Sequence, residues 1–86
     1  MLTEYIEAAM RKAKYELLDD GEGYFGRIPP CRGVWGNADT LEECRDDLRD
    51  ALESWVLVGL RLGHTLPVID RINLNGRKTS RKRKVA

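Results

Sequence analysis

The sequence predicts a small α+β domain in the order α-β-β-β-α-β, an antiparallel sheet packed by one long helix. Three observations carry that reading. Residues 3–13 and 41–62 repeat apolar side chains at helical spacing. Between them lie short aromatic and branched runs punctuated by Gly and Pro, the pattern of strands and tight turns. After Gly63 a last apolar run over 66–74 has the composition of one more strand.

In the first helix Leu2, Tyr5, Ile6, Ala9, Met10 and Ala13 line one side and Glu4, Glu7, Arg11 and Lys12 the other. Thr3 is placed to cap it, and its apolar stripe is expected to lie on a sheet. Lys14-Tyr15-Glu16-Leu17-Leu18 and Tyr24-Phe25-Gly26-Arg27-Ile28 then flank Asp19-Asp20-Gly21-Glu22-Gly23, whose glycines supply the positive φ of a hairpin turn. Pro29-Pro30 ends the second strand, because neither proline donates to a ladder. Gly33-Val34-Trp35-Gly36 reads as a short third strand.

Thr40-Leu41-Glu42-Glu43 has the form of a capping box. Behind it Leu41, Cys44, Leu48, Ala51, Trp55, Val58 and Leu62 form the expected buried stripe of the long helix. Glu42, Arg45, Asp46, Arg49, Asp50 and Glu53 form its outer face, with Arg49 and Glu53 spaced to pair. Beyond Glu53 the helix is apolar nearly all round, since Val56, Leu57 and Leu60 join the stripe. A small sheet covers one side only, so either the C-terminal segment or another subunit must cover the rest. Gly63 suits a left-handed cap, with Pro67 just beyond.

Eighty-six residues make one domain, and a chain of this size buries only about 60% of its unfolded surface. The formal net charge of +1 hides a division. Through residue 76, nine bases face fourteen acids, a net of −5, and from Arg77 onward six bases stand without an acid. The domain is expected over 1–76 and a basic, flexible tail over 77–86. The longest apolar run, Trp55 to Leu60, falls far short of the ~20 residues a membrane span needs. The N-terminal residues lack the pattern of an export signal. Cys31 and Cys44 are too few for a disulfide scaffold and read as reduced thiols in a cytoplasm.

No enzyme site emerges from the residue pattern, and neither a metal nor another cofactor is expected. Asp19, Asp20 and Glu22 sit together in a turn, where Asp and Gly serve backbone geometry, whereas a two-metal nuclease gathers carboxylates from several elements. Cys31 and His64 lack an orienting third group, and Cys44 falls on the core stripe. Two charged surfaces remain. Arg77, Lys78, Arg81, Lys82, Arg83 and Lys84 either bind phosphate backbones, with a log–log salt slope of about −5, or merely solubilise the chain. Asp46, Asp47, Asp50 and Glu53 are either a solvated helix face or a contact for a basic partner.

The stretch Tyr24-Phe25-Gly26-Arg27-Ile28-Pro29, then Gly33-Val34-Trp35-Gly36-Asn37-Ala38-Asp39-Thr40-Leu41-Glu42-Glu43-Cys44, then Leu48 and Ala51-Leu52-Glu53-Ser54-Trp55, resembles the HicB family of antitoxins. Cys44 stands where that family usually has Ala, and Ile69 where a second proline follows Pro67. The resemblance covers residues 14–74. It implies a partial ribonuclease-H-like fold without a working nuclease site, and homo-oligomers, commonly dimers or tetramers, for which Val56, Leu57 and Leu60 are the expected interface. It also implies a non-enzymatic antitoxin of a toxin–antitoxin system, which occludes a small basic mRNA-cleaving ribonuclease of the HicA type. Asp46, Asp47, Asp50 and Glu53 are the expected contact. After Gly76 only ten residues remain, too few for the DNA-binding domain many HicB proteins carry. The competing expectation is a nucleic-acid-binding accessory protein acting through Arg77, Lys78, Arg81, Lys82, Arg83 and Lys84.

Overall fold

The computed structural model describes residues 1–21 and 23–75. Helix α1 spans Leu2–Arg11 and is followed by β1 (Lys14–Leu17), a 3₁₀ turn (Asp19–Gly21), β2 (Tyr24–Arg27), β3 (Trp35–Ala38) and α2 (Leu41–Leu62). The three strands form an antiparallel sheet in the order β1-β2-β3. An α+β architecture with a long helix on a small antiparallel sheet is therefore present as expected. Several boundaries differ: α1 ends at Arg11 and not Ala13, and β1 and β2 end one residue early, at Leu17 and Arg27. Met1, not Thr3, is the N-cap of α1. The third strand begins at Trp35, because Gly33, with φ of +93°, and Val34 belong to the loop after Pro29-Pro30.

The hairpin closes where Gly21 and Gly23 take φ of +69° and +100°, and Leu18 N donates to Gly23 O at 2.7 Å. Register places Tyr15, Gly26 and Gly36 in one row across the sheet, and Lys14, Arg27 and Trp35 in the next. Alternate rows face opposite sides. The first row lies under α2, and its glycines set the distance. A Cβ on Gly36 would stand 2.7 Å from Leu48 N, and one on Gly26 3.3 Å from Cys44 Sγ. The helix backbone thus rests almost directly on β3.

That close approach decides which side of α2 is buried. Cys44, Leu48, Leu52, Val56 and Gly59 are buried, with Ala51 and Trp55 on the flank. The expected stripe is correct at Cys44 and Leu48 and in part at Ala51 and Trp55, which pack half-buried on the core, but Leu41, Val58 and Leu62 are exposed. Each fully buried Leu or Val contributes roughly 1.5–3 kcal/mol. The Thr40 hydroxyl accepts from Glu43 N at 3.1 Å, and Gly63 closes the helix at φ of +74°. Arg49 and Glu53 pair at 3.4 Å.

The stripe of α1 is taken up chiefly by α2 and not by the sheet. Tyr5, Ile6, Ala8 and Ala9 join Ile28, Cys31, Val34, Leu48, Leu52, Val56, Leu66 and Ile69 in one core. No strand forms over 66–74. Asp70 and Arg71, with φ of +48° and +69°, make a two-residue reversal in which Ile69 and Ile72 exchange hydrogen bonds of 3.2 and 2.8 Å. Leu66 finds its partners on a side chain, since the Asn75 amide accepts from its N–H at 2.6 Å and donates to its C=O at 2.8 Å. Leu66, Ile69 and Ile72 thus satisfy their backbone groups without a neighbouring strand. It is fastened to α1 where Tyr5 Oη donates to Pro67 O at 2.7 Å and Arg11 and Lys12 approach Asp70 at 3.4 and 3.2 Å.

Candidate partner-binding surface

The exposed side of α2 carries the carboxylates expected to meet a basic partner, and the structure divides them into two pairs. Asp47 is turned toward the sheet, where its Oδ2 accepts from Asn37 N at 3.0 Å. Asp47 therefore satisfies a strand amide. Glu53 is engaged by Arg49. Asp46 and Asp50, one turn apart, are exposed and form no ion pair among the described residues. They border a shallow hollow completed by Asn37, Ala38, Asp39, Glu43 and Asp47. Five carboxylates thus converge where the end of β3 meets the first turns of α2. Glu43 also lies at the helix N-terminus, where the peptide dipoles favour negative charge.

Helix periodicity does not single out Asp39 or Glu43, although a signal for them exists. The Thr40 cap fixes the chain direction at the helix start, which brings the preceding Asp39 and the third helical residue beside Asp46. On the far side Asp46 borders a second hollow with Glu7, Arg11, Arg45 and Arg49, so the acidic field ends there.

The apolar end of α2 is partly covered. Val56 lies in the chain's own core at 1% exposure, which corrects its assignment to an interface between chains, while Leu57 is 57% exposed. Leu57 and Leu60 line an open groove of about 280 Å³ between α1 and α2, together with Leu2, Ile6, Arg49 and Glu53. The C-terminal segment covers a different side, setting Leu66 against Gly59.

Neither cysteine is poised as a nucleophile. Both are buried and free. Burial pushes the Cys31 thiol up to about 11, against the weaker opposing pull of a hydrogen bond with Tyr5. Burial, reinforced by Cys31, pushes the Tyr5 hydroxyl up to about 12. Cys44 is also raised, by burial first and by the nearby Asp47 second, and its Sγ lies 3.6 Å from Gly36 O. His64 is exposed just beyond the α2 cap. Asp19 is exposed at the hairpin turn, while Glu22 lies outside the described residues. Among the described residues no three His, Cys, Asp or Glu side chains are grouped to hold a metal ion, and no helix is long and apolar enough to cross a membrane. The six tail bases, Arg77 to Lys84, also lie outside the described residues.

A family model described as UPF0150-like matches residues 4–67, from within α1 to the segment beyond α2. The chain belongs to the UPF0150-like family. The crystal structure of TTHA0281 from Thermus thermophilus is similar to this UPF0150-like chain at 44% sequence identity, with a TM-score of 0.79 over 85% of this chain and 90% of that one. No curated protein matches it.

Proposed function

We propose that this UPF0150-like protein is a HicB-type antitoxin that blocks a small basic mRNA-cleaving ribonuclease of the HicA type, without catalysis of its own. The observation that carries the reading is the acidic hollow of Asp39, Glu43, Asp46 and Asp50, none of which forms an ion pair among the described residues. The family match and the HicB-like pattern of strand, glycines and capped helix run through the same elements. A basic ribonuclease must present cations to hold RNA phosphates, and a cluster of carboxylates at one end of a helix competes for those cations. Complementary fields of this kind speed encounter and fix orientation. Asp47 and Glu53 contribute charge but are already held by Asn37 and Arg49. Leu57 and Leu60 would bring two copies together through the groove beside α1, presenting two acidic faces per dimer.

The double variant Asp46→Lys/Asp50→Lys tests the contact, since both positions are exposed and the fold does not depend on them. Association with the ribonuclease should slow on the order of tenfold to a hundredfold at low salt, and the difference should shrink as salt rises. Unchanged association at every salt concentration would place the contact elsewhere. The basic run over 77–86 favours a second reading, an accessory protein that binds nucleic acid through its tail. Removing those residues should leave ribonuclease binding intact under the first reading and remove nearly all RNA or DNA affinity under the second.

A further inference from the structure

The side of the sheet turned away from α2 carries a feature that neither the acidic hollow nor the core uses. Register places Lys14, Arg27 and Trp35 in one row on that side and Glu16, Phe25 and Asn37 in the next. Phe25 and Trp35 are diagonal neighbours, with ring centroids 6.1 Å apart and planes at 23°, so the two rings stack on each other and the exposed Trp35 offers the outer face of the pair as a platform. Trp35 remains 55% exposed, and Lys14, Glu16, Arg27 and Asn37 are exposed around it. Cross-strand stacking accounts for the contact between the rings. It does not account for the cations beside them.

We infer that this face is a binding site for single-stranded nucleic acid, with an unpaired base stacked on Trp35, which Phe25 backs, and the adjoining phosphates held by Lys14 and Arg27. Charge and shape both select that occupant. Arg27 is in register with Trp35, and Lys14 is in register with Arg27, so two cations stand along one edge of the aromatic pair. Exposed Arg32 shares a groove with Arg27 in the loop between β2 and β3, which extends the cationic path past the sheet end. Glu16 is the single acid in the two rows that carry the platform. Four of the five carboxylates of the hollow lie on α2, which packs on the opposite side, and the hollow meets the sheet only at the end of β3. Aromatic planes flanked by cations suit an unpaired strand, because every base offers a π-face and every linkage a phosphate. A duplex keeps its bases stacked on each other and cannot use the rings. Stacking on a base and contact with a phosphate are open to ribose and deoxyribose strands alike, so both should bind.

The site is independent of the antitoxin reading and fails or stands on its own measurement. The full chain would be titrated into a labelled oligouridylate of roughly ten nucleotides at low salt and at about 0.5 M salt, where contacts through the basic tail are screened. Trp35→Ala and Phe25→Ala should each weaken binding roughly fivefold to 150-fold at both salts. Trp35→Phe should retain most of the affinity, and Arg27→Ala should flatten the salt slope by about 0.7. Oligothymidylate should match oligouridylate, and a duplex of equal length should bind more weakly. Equal affinity of wild type and Trp35→Ala at both salts, or no binding by wild type at either, would overturn the inference. So would equal binding of duplex and single strand. A change in sedimentation of Trp35→Ala with unchanged oligonucleotide affinity would overturn it in favour of a contact between copies of the chain.

Discussion

Replacing Gly36 with alanine should separate α2 from the sheet. The added Cβ would stand 2.7 Å from Leu48 N, 2.9 Å from Leu48 Cα and 3.0 Å from Asp47 Oδ2. Non-bonded heavy atoms prefer about 3.5–4.0 Å, so the helix must retreat by roughly 1 Å. Overpacking of this kind costs about 1–3 kcal/mol. The retreat also strains the bond from Asn37 N to Asp47 Oδ2, worth about 1 kcal/mol more. A loss of about 2–4 kcal/mol is a large part of the total stability of a domain this small, and it should lower the melting temperature by roughly 10–30 °C. Thermal melting followed by circular dichroism measures it directly. Gly33→Ala is the control, since its Cβ meets nothing within 4 Å and only the φ of +93° opposes it. That strain is about 1–2 kcal/mol. If Gly36→Ala melts within a few degrees of wild type and no lower than Gly33→Ala, α2 does not rest on β3 as described.

Leu52→Ala should cost about 2–5 kcal/mol in urea denaturation, whereas Leu62→Ala, on an exposed side chain, should change stability by less than about 0.5 kcal/mol. The Asp70 carboxylate is held below its usual range, first by its hydrogen bond to Lys12, with Arg11 adding to the effect. Its contribution is therefore complete above the unfolded value of about 3.9 and lost as pH falls through the lower folded value. The melting temperatures of wild type and Asp70→Asn should accordingly differ at neutral pH and converge in acid. Cys31 behaves in the opposite sense, because burial favours its neutral thiol. Its contribution is intact below about pH 8.5 and declines as pH rises toward about 11. Both buried cysteines should resist a thiol reagent at neutral pH in the native protein and react at once in denaturant.

Local signals are legible where the chemistry is local. Thr40 caps α2, the glycines of the hairpin take positive φ, Arg49 pairs with Glu53, and Gly63 ends the helix, each as the residues around it dictate. The buried side of α2 is legible only in part. Apolar residues surround the helix after Glu53, so periodicity alone leaves its rotation open, and Gly36 settles it from another element. The segment after α2 misleads for a similar reason. Val68, Ile69 and Ile72 have strand composition, but Asp70 and Arg71 reverse the chain between them and Asn75 satisfies Leu66 from nine residues away. A non-glycine left-handed turn and a side chain replacing a strand partner leave little trace in composition. The acidic site is half visible. Helix spacing supplies Asp46 and Asp50, while the inward turn of Asp47 and the arrival of Asp39 depend on where β3 ends.

Stoichiometric inhibition tests most directly whether the acidic body silences a basic ribonuclease, as proposed. The tagged protein would be recovered from nuclease-treated lysate of its source organism, and any small basic protein held with it separated and assayed on mRNA. The co-purified protein should cleave mRNA when alone, adding back the chain should stop cleavage at a fixed molar ratio, and Asp46→Lys/Asp50→Lys should fail to do so. A co-purified protein that leaves mRNA intact, or cleavage that continues with the chain in excess, would contradict the proposal.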